Sequence, residues 1–178
     1  KTSRIDIENF YSGVCGEEIF RDIYKKYETR LKENRLIDFD DMLSYTYELF
    51  KERPDILALW QNKYKYILID EFQDINRLQY EIIKMLAAPQ NNLFIVGDDD
   101  QSIYRFRGSK PEIMLGFEKD YPDAKRILLD TNYRCGRYIV EASLNLISHN
   151  RERFDKKIIA ASKSKAPVTF ADFENRRD

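Results

Sequence analysis

The fold of this chain is decided by the stretch Tyr66-Ile67-Leu68-Ile69-Asp70-Glu71-Phe72-Gln73-Asp74. Its apolar run is typical of a short parallel strand that is buried on both faces. The strand ends where Asp70 and Glu71 begin, and ligands of open α/β sheets bind at the carboxyl ends of strands. An acidic pair there suits Mg²⁺, which takes carboxylate oxygens and keeps waters for substrate phosphates. The pair alone is equally compatible with a solvated turn, because clustered acids are often structural.

A second apolar run also ends in acids. It reads Leu93-Phe94-Ile95-Val96-Gly97 and continues as Asp98-Asp99-Asp100-Gln101-Ser102. These acids are too closely spaced for the ligands of an EF-hand loop. Two neighbouring strands that both end in acid therefore predict a nucleotide-phosphate and magnesium site at one edge of the sheet.

Helical patterns alternate with the apolar runs, which predicts an α/β fold with a parallel sheet and flanking helices. Asp38 and Asp74 are each expected to cap the start of a helix. The predicted helices cover residues 17–34, 38–52 and 137–150, with another after residue 74, and further strands are expected at 126–130 and 168–173 with a loop over 156–165.

Composition limits the class of protein. A chain of 178 residues suggests one domain, or one domain and part of another. With 43% apolar and 34% charged residues it is typical of a soluble globular protein. A net charge of −1 provides no global basic field, so nucleic-acid binding would need a local surface or parts outside this chain. Two cysteines without metal-site spacing indicate free thiols and a cytoplasmic location, and no apolar run approaches the ~20 residues of a membrane span.

The acidic segments resemble the motifs of one enzyme family. Residues 70–74 resemble motif II, or Walker B, of the UvrD/PcrA/Rep family of superfamily 1 DNA helicases, and residues 96–108 resemble motif III. Asn132-Tyr133-Arg134-Cys135 is similar to motif IV, and residues 38–41 resemble the acidic segment before motif II. Three long motifs in the family's order, spread over nearly the whole chain, form a specific signal.

The resemblance implies partial RecA-like motor domains. Residues 1–125 would be the later part of the first motor domain, with residues 1–35 as the end of its inserted subdomain. Residues 126–178 would begin the second motor domain. The chain is therefore expected to be a fragment of a longer helicase.

The resemblance also implies a role for each site residue, with ATP and Mg²⁺ as cofactors. Asp70 and Glu71 would hold Mg²⁺, and Glu71 would orient or deprotonate the attacking water. Gln101 would sense the γ-phosphate, and Tyr133 would stack on the adenine. Arg134 would act as an arginine finger, because its planar fork meets phosphate oxygens bidentately; outside the motif, a surface salt bridge would be the expected role of such a residue.

On the DNA side, Tyr104, Phe106 and Arg107 would stack on bases and contact phosphates without reading sequence. Family members usually carry Trp where this chain has Phe106. Without the neighbouring motif, aromatics at this spacing are more often core residues. The implied parent moves 3′→5′ on single-stranded DNA. Its partners would be single-stranded DNA, duplex junctions, ATP and DNA repair or recombination proteins, with no membrane.

One element of an ATPase site is missing from this sequence. No G-x-x-x-x-G-K-[ST] occurs in it, so the phosphate-binding loop and its lysine are absent, and the chain alone is expected to be inactive. Two alternatives stay open. One is a self-contained Mg²⁺-dependent phosphohydrolase or nuclease that uses Asp70, Glu71 and residues 98–100. The other is a helicase-like scaffold that binds nucleic acid without catalysis.

Overall fold

The computed structural model of the protein describes residues 6–11, 13–102, 110–162, 166 and 169. The chain divides into two compact units, Lys1–Met114 and Leu115–Asp178. The boundary expected between two motor domains at residues 125 and 126 stays a prediction, as does the assignment of residues 1–35 to an inserted subdomain.

The first unit contains helices and a two-stranded sheet. After a 3-10 turn at Ile7–Asn9, its elements are α1 (Glu17–Glu33), α2 (Phe39–Glu52), α3 (Pro54–Lys63), β1 (Ile67–Ile69), α4 (Arg77–Ala87), β2 (Leu93–Ile95) and α5 (Pro111–Leu115), which ends at the boundary of the second unit. Helices and parallel strands alternate here, which confirms the predicted α/β class with flanking helices.

Helix α2 begins as the sequence predicts. Asp38 caps it in a capping box, in which the Asp38 side chain accepts the N–H of Asp41 (2.8 Å) and the Asp41 side chain accepts the N–H of Asp38 (3.1 Å). The apolar face of α2 packs with that of α4, where Phe50, Leu78 and Ile82 form a buried cluster. This cluster is the core of the first unit's helical layer.

Helix α4 begins differently from the prediction. Asp74, the expected cap, lies in a 3-10 turn at Phe72–Asp74, and Asn76 caps the helix instead. The Asn76 side chain accepts the N–H of Gln79 (2.9 Å), whose side chain accepts the N–H of Asn76 (2.8 Å). The reciprocal partner at the third helical position favours Asn76, because it satisfies two backbone donors at once.

Strands β1 and β2 pair in parallel, with Ile67 opposite Leu93 and Ile69 opposite Ile95. The expectation that β1 is buried on both faces is wrong for the described residues. Side chains alternate across a sheet, and Leu68 and Phe94 are 71% and 58% exposed on the face opposite to the half-buried Ile67 and Ile69. Nothing within the described part of the chain covers that second face.

The second unit contains α6 (Phe117–Asp120), β3 (Thr131–Gly136), α7 (Arg137–Ile147) and β4 (Ile159–Ser162). The strand predicted at residues 126–130 is wrong, and so is the loop predicted throughout residues 156–165. Ile127 and Leu129 are each 79% exposed, whereas Thr131 pairs with Ile159 in a parallel ladder. The strand expected at residues 168–173 lies almost wholly outside the described residues.

The longest described helix, α1, has 17 residues and is rich in charged side chains. No helix in the described ranges combines the length and apolar content of a membrane span.

Candidate active site

The carboxyl ends of β1 and β2 meet at one edge of the sheet. Beyond the strands, Val96 N–H donates to the Ile69 carbonyl (2.8 Å), and Phe72 N–H donates to the Val96 carbonyl (2.9 Å). These two bonds extend the parallel ladder past the last strand residues. They hold the Asp70–Glu71 segment beside the segment that leads into Asp98.

Asp70 and Glu71 lie at this edge, and both residues are exposed. The Asp70 carboxylate accepts the N–H of Glu71 (2.9 Å). Glu71 has a left-handed backbone, with φ 50° and ψ 41°. A non-glycine residue there costs about 1–3 kcal/mol, and such conformations persist where the surroundings enforce them, often at functional sites.

Gln73 bonds to both strand ends through its side-chain amide. Its Nε2 donates to Glu71 Oε2 (2.7 Å), and its Oε1 accepts the backbone N–H of Asp98 (3.0 Å). The residue is 1% exposed. Gln73 lies in the segment that resembles motif II, but the resemblance implies no role for it. Its two bonds add it to the candidate site.

Gly97 lies directly against this amide. A Cβ at position 97 would come within 2.7 Å of Gln73 Oε1 and 3.2 Å of both the Gln73 backbone nitrogen and Met114 Sδ. A real Cβ cannot approach an oxygen at 2.7 Å, so a glycine is required for Gln73 to hold this position. A glycine at the end of a strand often marks such a close backbone approach, and this signal could have pointed to Gln73.

The acidic run after β2 folds on itself in a 3-10 turn, Asp99–Gln101. The Asp98 carboxylate accepts the N–H of Asp100 (3.1 Å) through Oδ1 and Gln101 Nε2 (2.8 Å) through Oδ2. Asp99 is buried, with 9% exposure. The structure therefore connects Glu71 to Gln101 through Gln73 and Asp98.

The donor chemistry of this edge fits Mg²⁺. Asp70 and Glu71 are exposed carboxylates, and each uses one oxygen in the bonds above, while a carboxylate offers about four lone-pair positions. Mg²⁺ is usually held by one or two carboxylates together with substrate phosphates and waters. Two further acids, Asp38 and Asp41, lie at the start of α2. Their carboxylates form the capping box of that helix.

Tyr133 and Arg134 lie in the second unit, in an irregular part of β3. The pairing register of β3 with β4 shifts between Asn132 and Gly136. Asn132 Oδ1 accepts the backbone N–H groups of Arg134 (3.0 Å) and Cys135 (2.8 Å), which stabilises the irregular turn of the strand. Tyr133 is 82% exposed, and Arg134 is exposed as well.

Arg134 differs from its neighbour Arg137. A hydrogen bond from Arg137 Nε to Glu141 Oε1 (2.6 Å), reinforced by the attraction between the charges, holds the pKa of Arg137 above its usual value. Among the described residues, the guanidinium of Arg134 makes no hydrogen bond or ion pair. The surface salt bridge that would be expected of Arg134 outside the motif is not made among the described residues.

Tyr104, Phe106 and Arg107, the residues expected to bind DNA, lie outside the described residues. Their role stays a prediction, as do the roles of the other predicted site residues.

Comparison with known proteins agrees with the motifs. The profile of the UvrD/REP helicase N-terminal domain matches residues 4–122. The chain is 48% identical over 163 residues to YjcD of Bacillus subtilis, covering 91% of this chain and 21% of YjcD. It is 39% identical over 162 residues to the ATP-dependent DNA helicase PcrA of Leuconostoc citreum, covering 91% of this chain and 22% of that helicase. It is 42% identical over 156 residues to PcrA of Staphylococcus epidermidis, covering 88% and 21% of the two chains.

The chain thus spans about a fifth of the length of these relatives. The match to the domain profile extends over more than half of its residues. The motifs, the parallel strand ends and this match agree, and the chain belongs to the UvrD/REP helicase N-terminal domain family.

Proposed function

We propose that this chain is part of an ATP-dependent DNA helicase, which couples ATP hydrolysis to 3′→5′ movement on single-stranded DNA. The observation that carries the proposal is the connected set of bonds at one sheet edge, from Glu71 through Gln73 and Asp98 to Gln101. The similarity to the PcrA relatives, which are ATP-dependent DNA helicases, supports it.

Transfer of a phosphoryl group to water depends on positioning and charge stabilisation more than on covalent chemistry. Glu71 is exposed at the strand end, and one of its oxygens accepts a bond from Gln73, so its carboxylate has capacity left to accept a water proton. We assign Glu71 the orientation or deprotonation of the attacking water. Asp70 and Glu71 would hold Mg²⁺, which when bound neutralises phosphate charge. Gln101 would contact the γ-phosphate.

Two residues of the second unit are assigned nucleotide-binding roles on the resemblance of their segment to motif IV. Arg134 is assigned the arginine finger, since its guanidinium has no partner among the described residues while Arg137 is paired with Glu141. We assign Tyr133 the stacking contact with the adenine, because its ring is 82% exposed and can stack on a base.

Tyr104, Phe106 and Arg107 are proposed to bind DNA, on the resemblance of their segment to motif III. Aromatic rings stack on bases without sequence preference, and arginine contacts the phosphates. We further propose a cytoplasmic location, which suits the free cysteines, and partners in DNA repair or recombination.

The nuclease alternative would require an open acidic cluster that includes residues 98–100. In the structure, Asp98 uses both carboxylate oxygens in bonds within its own loop, and Asp99 is buried. This arrangement favours a structural role for that acidic run and a catalytic role for the acids after β1.

The test of the proposal is Glu71→Gln in the full-length protein that contains this chain. Loss of a general base lowers turnover by roughly 10²–10⁴-fold, so ATP hydrolysis with single-stranded DNA should fall by about that factor while nucleotide binding persists. Glu48→Gln, at an exposed position of α2, is the matched control and should leave turnover unchanged.

Unchanged turnover in Glu71→Gln would refute the assignment of the base. Metal-dependent cleavage of phosphoesters without nucleotide would instead favour the nuclease alternative. The direction is tested with duplexes that carry either a 3′ or a 5′ single-stranded tail, and unwinding should require the 3′ tail.

A further inference from the structure

The side chain of Gln73 lies between two parts of the candidate site that come from different strands. It reaches Glu71 on the β1 side and the backbone of Asp98 on the β2 side, 25 positions away in sequence. Both of its polar atoms are bonded, and the residue is 1% exposed.

The orientation of this amide is determined by its partners. The Glu71 carboxylate only accepts hydrogen bonds and the Asp98 N–H only donates one, so Nε2 must face Glu71 and Oε1 must face Asp98. A reversed amide would place an acceptor against the carboxylate and a donor against the N–H group. The two bonds therefore select one rotamer and one orientation.

Packing prevents the amide from moving independently of its surroundings. Phe72, the preceding residue, is fully buried and meets the ring of Tyr80 edge-on at 5.9 Å between centroids. On the other side, Gly97 approaches so closely that even a methyl group would overlap Gln73 Oε1. A shift of the Asp98 backbone would therefore strain its bond to Gln73 and, through the amide, the bond to Glu71.

We propose that Gln73 is a positioning residue that holds the Glu71 carboxylate in place for the attacking water. Asp98 donates its backbone N–H to Gln73 and accepts a bond from Gln101 with its side chain. Through Gln73, the loop that carries Gln101 therefore determines the position of Glu71. This inference rests on the proposed function, in which Glu71 acts on water.

The experiment uses the full-length protein with Gln73→Met, which keeps the volume and apolar packing but removes both bonds. Loss of a group that orients a catalytic side chain typically lowers activity by roughly 10–100-fold. We expect kcat for DNA-stimulated ATP hydrolysis to fall by about that factor, with KM for ATP unchanged within about twofold.

The matched control is Gln61→Met. Gln61 also donates a partly buried side-chain hydrogen bond, to the Met85 carbonyl (2.8 Å), but this bond joins α3 to α4 and includes neither Glu71 nor Asp98. It should lower the melting temperature to a comparable extent and leave kcat unchanged. If Gln73→Met and Gln61→Met change kcat equally, or if kcat of Gln73→Met stays at the wild-type value, the inference is overturned.

Two further variants keep the test decisive if Gln73→Met does not fold. Gln73→Glu keeps the shape and the acceptor for Asp98 N–H but removes the donor to Glu71. Gly97→Ala keeps glutamine at 73 and glutamate at 71. Its added methyl group would push the Gln73 amide out of its position. Each should lower kcat without raising KM for ATP, and wild-type kcat in both would overturn the inference.

Glu71→Gln, measured alongside, separates this inference from the proposed function. If Glu71→Gln turns over ATP like the wild type, both fail. If Glu71→Gln loses turnover while the Gln73 and Gly97 variants keep it, only the positioning role fails.

Discussion

Arg134 and Arg137 lie three residues apart, and their surroundings differ. Arg137 is paired with Glu141 in the first turns of α7, whereas Arg134 lies in the irregular part of β3 without an ion pair among the described residues. In the full-length protein, Arg134→Ala should retain ATP binding and lose turnover, since an arginine finger is worth on the order of 10³–10⁵ in rate.

Arg137→Ala is the matched control and should change turnover little, because an exposed ion pair contributes little to stability. Nucleotide affinity and single-turnover hydrolysis are measured on both variants. A loss of ATP affinity in Arg134→Ala as large as its loss of rate would make Arg134 a ground-state ligand. Arg134→Lys should not restore turnover, since lysine lacks the bidentate fork.

Only part of the candidate site can be predicted from the sequence. Asp70 and Glu71 follow an apolar run, so their location at a strand end can be inferred from neighbouring residues alone. The contribution of Gln73 depends on a backbone N–H that is 25 positions away and on the space beside Gly97. Local pattern contains neither piece of information, because both arise only when β1 and β2 pair.

At the scale of the element, the start of α4 offers a direct comparison between two candidate caps. Asn76→Ala removes a capping-box side chain and should lower the free energy of unfolding by about 0.5–2 kcal/mol. Asp74→Ala should not lower it, because Asp74 Oδ1 is a buried atom without a hydrogen-bond partner. Denaturant melts of the two variants decide the matter, and a larger loss in Asp74→Ala would contradict the observed cap.

The strands of the second unit show what periodicity cannot determine. Residues 126–130 include three consecutive large apolar side chains and fit a buried strand by composition. The observed strand, Thr131–Gly136, is more polar than this stretch. It forms a strand because its backbone pairs in parallel with Ile159–Ser162. Helices α2 and α7 begin where the sequence predicts, since the Asp38 cap of α2 and the 3.6-residue periodicity of both helices are local signals.

At the scale of the whole molecule, this 178-residue chain lacks the sequence of a phosphate-binding loop. Without that cradle a base and a metal ligand cannot position the β- and γ-phosphates, so we expect the purified chain not to hydrolyse ATP at a helicase-like rate. Phosphate release is measured with Mg²⁺ and single-stranded DNA on material with a cooperative thermal melt. DNA-stimulated turnover that Glu71→Gln abolishes would contradict this expectation.

The space beside Gly97 also limits which residues relatives of this chain can carry together at positions 73 and 97. A side chain at position 97 and glutamine at position 73 compete for the same volume, since the distance to a Cβ would be 2.7 Å. A relative that carries alanine or serine at 97 must therefore shorten or reorient the residue at 73, and with it the contact to the acid at 71. Substitutions at positions 73 and 97 should therefore occur together among relatives. The residues tolerated at one position depend on the residue at the other.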